Sequence, residues 1–355
     1  MGATLREMAS RCRENKLKYD VLTIGSGARL LLLERGGRIF GPFFGDDAGI
    51  FWTNEAWHDA GTFRALLKNK EWNVGGDRMW IAPEIQFHIQ DRNDPAHSER
   101  IPRPMDPGSY RIHAGAKSGT MEQTIRLRAY NLAQGNIALQ LRKDIVPAAN
   151  PLRKLPGAAE LLGDVRYCGY LQEVTLNIRR GAEICAEAWN ITQVEPPGDI
   201  WIPVTSTAAY VDYYDPIDDD YLRRTQDWVR LKATGERKYK VGLNAAQVQG
   251  YVVYQSESDG APYLYIKCFF SNPSAEYAEE PAALPGRNGN SVHVYNDDGK
   301  LGGFTELECN LQPVGGVFKR RASRDVVCNW FFFGEPEKLD TIVKALTGKS
   351  ARDIG

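Results

Sequence analysis

The chain reads as an all-β protein, a large antiparallel β-sandwich with a short helix at each end. Three observations predict this. Most of the 355 residues fall into short runs that alternate apolar and polar side chains, the period of a strand with one buried face. Gly, Pro, Asn and Asp cluster between those runs as turn residues do. Helical spacing of apolar residues occurs at the two termini.

Taken in order, Thr4-Leu-Arg-Glu7 has the form of a capping box, and Leu5, Met8 and Cys12 then keep helical spacing. Gly25-Ser-Gly27 begins like a dinucleotide fingerprint, but the third glycine is missing and a strand-like Leu run follows. Asn73-Val-Gly-Gly-Asp-Arg-Met-Trp-Ile-Ala-Pro-Glu84 is a glycine turn rich in polar and aromatic groups. The alternation after it predicts a strand over 85–90, with Ile85, Phe87 and Ile89 on one face and Glu84, Gln86, His88 and Gln90 on the other. Val174, Leu176 and Ile178 alternate with polar neighbours, and Leu264, Ile266, Cys268 and Phe270 alternate with Tyr263, Tyr265, Lys267 and Phe269. Pro336 opens a stripe of Leu339, Ile342, Val343 and Leu346 that Gly348 stops. Irregular stretches at about 43–80, 91–109, 146–166, 212–225 and 271–290 have lengths that suit functional loops. The expected organisation is a helical extension over 1–17, one β-sandwich domain over 18–348, and a tail over 349–355.

Composition narrows the function. Lys and Arg (44) balance Asp and Glu (45), so nothing favours nucleic acid. The six cysteines are scattered without a C-x-x-C pair, and no H-x-x-H spacing occurs, so neither a disulfide framework nor a metal site is expected. Asp212-Tyr-Tyr-Asp215-Pro-Ile-Asp218-Asp219-Asp220 lacks the glycine and closing glutamate of an EF-hand. Asn190-Ile-Thr192 is a formal glycosylation sequon inside a strand run. No apolar signal core or membrane-length stretch is present, so the expectation is a cytoplasmic protein, monomer or homodimer, with no cofactor and no membrane partner.

Two segments carry candidate chemistry. Arg78, Trp80, Glu84, Gln86 and His88 combine an aromatic ring with polar groups, as a sugar site does; a solvated sheet face would read the same. Phe304, Glu306, Glu308 and Asn310 share one strand face, which sets the two carboxylates roughly 6.5–7 Å apart. Like charges that close raise one pKa, which suits a general acid or base; an exposed pair matched by a neighbouring Lys or Arg is the plain alternative. His58 and Trp52 belong to a loop dense in aromatic and polar groups, Phe51-Trp52-Thr-Asn-Glu-Ala-Trp57-His58-Asp59.

The Gly75–Glu84 run resembles the early sugar-binding segment of the galactose mutarotase-like, or aldose 1-epimerase-like, superfamily, in particular uncharacterised bacterial branches with a G-G-x-R-x-W-x-A-P-E string. Ala186-Glu-Ala-Trp-Asn-Ile-Thr192, the 241–269 region and Glu306-Leu-Glu308 are similar to later family segments, in the same order. The resemblance implies a supersandwich of two antiparallel sheets with a sugar on a concave face. It implies a C-terminal glutamate that takes the anomeric proton, with Glu308 the closer match and Glu306 the alternative, and an early substrate-contacting arginine, Arg78. The family's acid histidine would fall near Trp201–Thr207, where this chain has none; His88, His58 or Tyr210 are substitutes.

Three functions compete. The first is an aldose 1-epimerase-type enzyme with Glu308 as base, His88 as acid, Arg78 and Glu84 as hydroxyl clamps, and Trp80 as stacking platform. The second is a lyase or hydrolase on the same fold, its basic residues neutralising a uronate of an oligosaccharide. The third is a non-catalytic sugar-binding module.

Overall fold

In the computed structural model, which describes residues 2–350 except 116 and 259, two large antiparallel sheets face each other. The tail beyond residue 350 lies outside the described residues. In spatial order the nine-stranded sheet runs Tyr19–Thr23, Arg29–Leu33, Arg38–Phe43, Asp77–Ala82, Glu187–Val194, Thr305–Asn310, Asn290–Asn296, Tyr239–Asn244, Tyr210–Asp212. The ten-stranded sheet is built around three long strands, Gly135–Pro147, Arg166–Arg180 and Ala322–Phe333. Among the described residues, no helix is long and apolar enough to cross a membrane.

Alternation explains the inner faces. Val174, Leu176 and Ile178 point into the space between the sheets and are buried, while Glu173 and Thr175 are only partly covered. They meet Met79, Ile81, Leu307 and Cys309 in one continuous apolar core. Some buried strands do not alternate. In Ala261–Phe269 both faces are covered: Tyr263, Tyr265 and Phe269 join the inter-sheet core, while Leu264 and Ile266 lie under the C-terminal helix Pro336–Thr347 through Leu339, Ile342 and Val343. The N-terminal helix Leu5–Glu14 does the same for the other sheet. Its capping box forms, with Thr4 N donating to Glu7 Oε2 at 2.8 Å, and Leu5, Met8 and Cys12 pack on Leu31, Leu33, Phe40 and Phe43.

The strand expected over 85–90 does not form. The strand lies one segment earlier, at Asp77–Ala82, and Glu84–Phe87 is a single helical turn. Pro83 has no N–H for the ladder, and its carbonyl instead accepts from Gln86 and Phe87. No polar face results, because Gln86 and His88 are as buried as Ile85 and Phe87. The irregular stretches also hold more structure than expected, including a helix at Ala60–Lys68 and a short one at Ala158–Leu162.

Candidate active site on the outer face of the nine-stranded sheet

Strand register decides which side chains meet. Trp80 lies opposite Trp189 and Arg78 opposite Ile191; Glu306 lies opposite Gln193 and Tyr295, and Glu308 opposite Ile191 and His293. Tyr295 in turn pairs with Lys240. Directly opposed residues share a face, so five neighbouring strands direct Arg78, Trp80, Trp189, Glu306, Glu308, Tyr295 and Lys240 away from the inter-sheet core. Loops wall this face into a cavity of about 460 Å³, completed by Trp72, Glu84, Phe304 and, at its exposed mouth, Glu99, Arg100, Tyr214, Lys238 and Leu301.

Glu308 is fully buried at the floor of the cavity. Its Oε2 accepts from Trp189 Nε1 at 3.1 Å and lies 4.0 Å from Lys240 Nζ, while Oε1 has no hydrogen-bond partner among the described residues. Burial pushes its carboxyl up to about 7; Lys240 opposes the rise and Glu306 adds to it. Lys240 donates to Glu84 Oε2 at 2.6 Å and sits 4.7 Å from the Trp189 ring. Burial works against its charge, but Glu308 and Glu84 outweigh that and hold it well above the usual lysine range. For Glu84, burial favours the neutral acid, yet Lys240 overrides it and the carboxylate is held below its ordinary value.

The second carboxylate is bound differently. Glu306 Oε1 accepts from Arg78 Nη2 at 2.7 Å and from Gln193 Nε2 at 3.0 Å. Arg78 in turn lies over Trp80, 4.1 Å from the ring centroid. Neighbouring loops are tied to the same group: Gln193 reaches Asn73, which holds the carbonyl of Leu301 at 2.9 Å. Asp297 Oδ2 accepts from the backbone of Gly299, Leu301 and Gly303 and fixes the turn before Phe304.

Of the nine residues proposed from the sequence, Glu306, Glu308, Arg78, Trp80 and Glu84 line the cavity. The structure does not place the other four there. His88 is buried behind Trp80, its Nε2 3.4 Å from Ile81 O, and burial lowers its pKa to about 4; a ring sealed in the helical turn after Pro83 has no route to a ligand. His58 lies against the N-terminal helix, 3.1 Å from Glu7 Oε1. Gln86 spends its amide on the backbone of Asn131, Leu132 and Ala133. Trp52 packs behind the cavity on Phe304. Trp80 needs a further correction, since Arg78 occupies one ring face and Trp189, Trp72 and His88 crowd the rest. It is a support for Arg78 and leaves no open stacking platform. Tyr210 is absent from the cavity lining as well. Lys240 was missed, because a lone lysine in Tyr239-Lys240-Val241 reads as an ordinary solvated strand residue.

The fold and cavity thus define a two-sheet antiparallel protein with a charged cavity on one outer face. Residues 48–355 match the model described as a family of unknown function (DUF6786), and the chain belongs to that family. Among curated proteins none matches. Among solved structures the chain is similar to a galactose mutarotase related enzyme from Lactobacillus acidophilus, at 8% identity and TM-score 0.46 over 90% of this chain and 98% of that one. It is similar to a candidate aldose 1-epimerase from Klebsiella pneumoniae subsp. pneumoniae, at 8% identity and TM-score 0.44 over 90% and 80%. A 4-alpha-glucanotransferase from Thermococcus litoralis matches at 8% identity and TM-score 0.33 over 90% of this chain and 40% of that one. At that identity and those TM-scores the likenesses carry no conclusion about activity.

Proposed function

We propose that the protein is a carbohydrate-active enzyme of the aldose 1-epimerase type, working by proton transfer at the anomeric centre of a sugar. The observation that carries this reading is Glu308, a buried carboxyl on a cavity floor with one oxygen unused and a fixed cation beside it. Its ionised form takes the proton of the anomeric hydroxyl as the C1–O bond becomes a carbonyl and the bond to the ring oxygen breaks. The ring oxygen then takes up a proton from solvent, which it gives back on reclosure, and Lys240, held cationic by its two carboxylates, stabilises the negative charge that develops before it does. Rotation about C1–C2 and reclosure give the other anomer, and the proton returns from Glu308. Glu306, neutralised by Arg78, and Glu84 are acceptors for substrate hydroxyls. Lys240 thereby supports the ring oxygen as a fixed charge, in place of the proton donor that His88 was expected to be.

Saturation-transfer proton NMR on a panel of free hexoses, pentoses and uronic acids tests this. The expected result is faster exchange between anomer signals for one sugar class. Glu308→Gln should reduce that exchange by about 10²–10⁴-fold, the usual range for a lost acid or base, while sugar binding persists. Exchange that survives in Glu308→Gln would overturn the assignment. Silence across the panel, with an unsaturated or reducing-end product from oligosaccharides, would replace it with cleavage.

A further inference from the structure

Resting on the sugar reading of this cavity, we infer that its substrate carries an anionic substituent, a carboxylate or phosphate, which Lys238 and Arg100 receive at the mouth. On the floor every cation is matched. Arg78 pairs with Glu306 at 2.7 Å, and Lys240 pairs with Glu84 at 2.6 Å with Glu308 at 4.0 Å. The mouth differs. Arg100 and Lys238 are exposed, line the same cavity, and make no ion pair among the described residues. The Arg100 guanidinium donates to the carbonyl of Glu99, and the Lys238 ammonium rests 4.3 Å from the Tyr214 ring centroid. The Glu99 carboxylate also lines the mouth, so the two cations exceed the acid there by one.

Lys238 lies just before the strand Tyr239–Asn244 and lines the same cavity as Lys240, two residues on. Lys240 is balanced by Glu84 and Glu308, so the uncompensated positive charge lies at the mouth. Field lines from unpaired cations concentrate in a cleft with low-dielectric walls, so an anion there is attracted more strongly than on an open surface. A neutral sugar uses the floor groups and leaves the mouth with one cation more than Glu99 balances. A sugar acid or sugar phosphate engages the floor with its hydroxyls and the mouth with its charge.

The test is a binding measurement, independent of turnover. Isothermal titration of glucose, glucuronate, galacturonate and glucose 6-phosphate would be run at low and high salt, on the wild type and on the doubly substituted Arg100→Ala/Lys238→Ala protein. Both residues are exposed, so the double variant keeps its packing. The expected result is at least about tenfold tighter binding of an anionic sugar than of glucose, with a preference that shrinks as salt screens it. In the double variant the ratio should fall to within about twofold. Whichever of uronate and phosphate gains most identifies the substituent. Equal binding of glucose and every anionic sugar overturns the inference, as does a preference that survives in the double variant, and in both cases the sugar reading stands. Tight binding of a uronate without Glu308-dependent anomer exchange leaves the inference standing and removes the epimerase reading. No binding of any of the four removes both.

Discussion

In the proposed reaction Glu308 couples chemistry and stability through one proton. Its pKa rises from an ordinary 4.5 to about 7 because the side chain is buried and only partly compensated by Lys240. If it acts as base, kcat/KM should climb with pH and level off above about 7; a profile that falls through the same region would assign it the acid role. The stability consequence has the opposite direction. Between about 4.5 and about 7 the folded state binds more protons than the unfolded one, so stability falls as pH rises and the full penalty applies above about 7. Glu308→Gln removes that ionisation. It should be more stable than the wild type by about 1–2 kcal/mol at pH 8, with no gain near pH 4.5, as urea unfolding at the two pH values would show. The pairing of Glu306 with Glu308 was readable from strand alternation. The distinction between them was not, because Arg78, which neutralises Glu306, comes from a strand 228 residues away in sequence.

At the scale of elements, the glycine turn before Asp77–Ala82 places Arg78. Gly75 has φ +97°, and a Cβ there would meet Trp52 O at 2.4 Å and Thr53 Cα at 2.7 Å. Both are backbone contacts, which cannot swing aside as a side chain does. Gly75→Ala should therefore cost about 2 kcal/mol or more and weaken the proposed sugar binding as the strand shifts; a thermal melt and a titration together would check both. The terminal helices follow simpler rules, a capping box and Pro–Gly punctuation, and they form as the sequence indicates. Ile342 is fully buried against Leu264 and Ile266 on the back of the ten-stranded sheet. Ile342→Ala should destabilise by about 2–4 kcal/mol while leaving the cavity on the opposite sheet unaltered, so reduced stability with intact ligand binding is the expected pair of results. The 85–90 segment shows where alternation misleads. Its pattern matches a strand, but Pro83 ends the ladder, and the tertiary packing buries polar and apolar positions alike.

At the scale of the whole molecule, the space between the sheets contains charge as well as hydrocarbon. Asp77, on the inward side of the strand that carries Arg78, accepts from Tyr170 Oη, Gln172 Nε2 and Asn190 Nδ2, each at 2.9 Å. Lys267 reaches from the ten-stranded sheet to the carbonyl of Leu307, between the two site glutamates, at 2.6 Å. The two sheets are thus tied through the backs of the strands that form the site. Asp77→Ala would leave the Tyr170 hydroxyl and the Gln172 amide without their acceptor, while Asn190 keeps its bond to Arg78 O, and should lower stability by about 2 kcal/mol or more, seen as a lower urea midpoint with an unchanged slope. A midpoint like the wild type's would mean that the network is not a structural tie. Asn190 in this network is buried, which explains why its sequon has no surface to present.

The sequence by itself determined what depends on neighbours in the chain: the sandwich class from period-two runs, the terminal helices from their caps, and the shared face of Glu306 and Glu308 from the pleat. Only the tertiary structure decided which strands lie side by side. That choice brought Lys240 and Trp189 to Glu308 and Arg78 to Glu306, and it left His58 and His88 elsewhere. The reason is physical: local pattern fixes the face a side chain takes, whereas register between distant strands fixes what it meets there, and burial and charge pairing then set its chemistry.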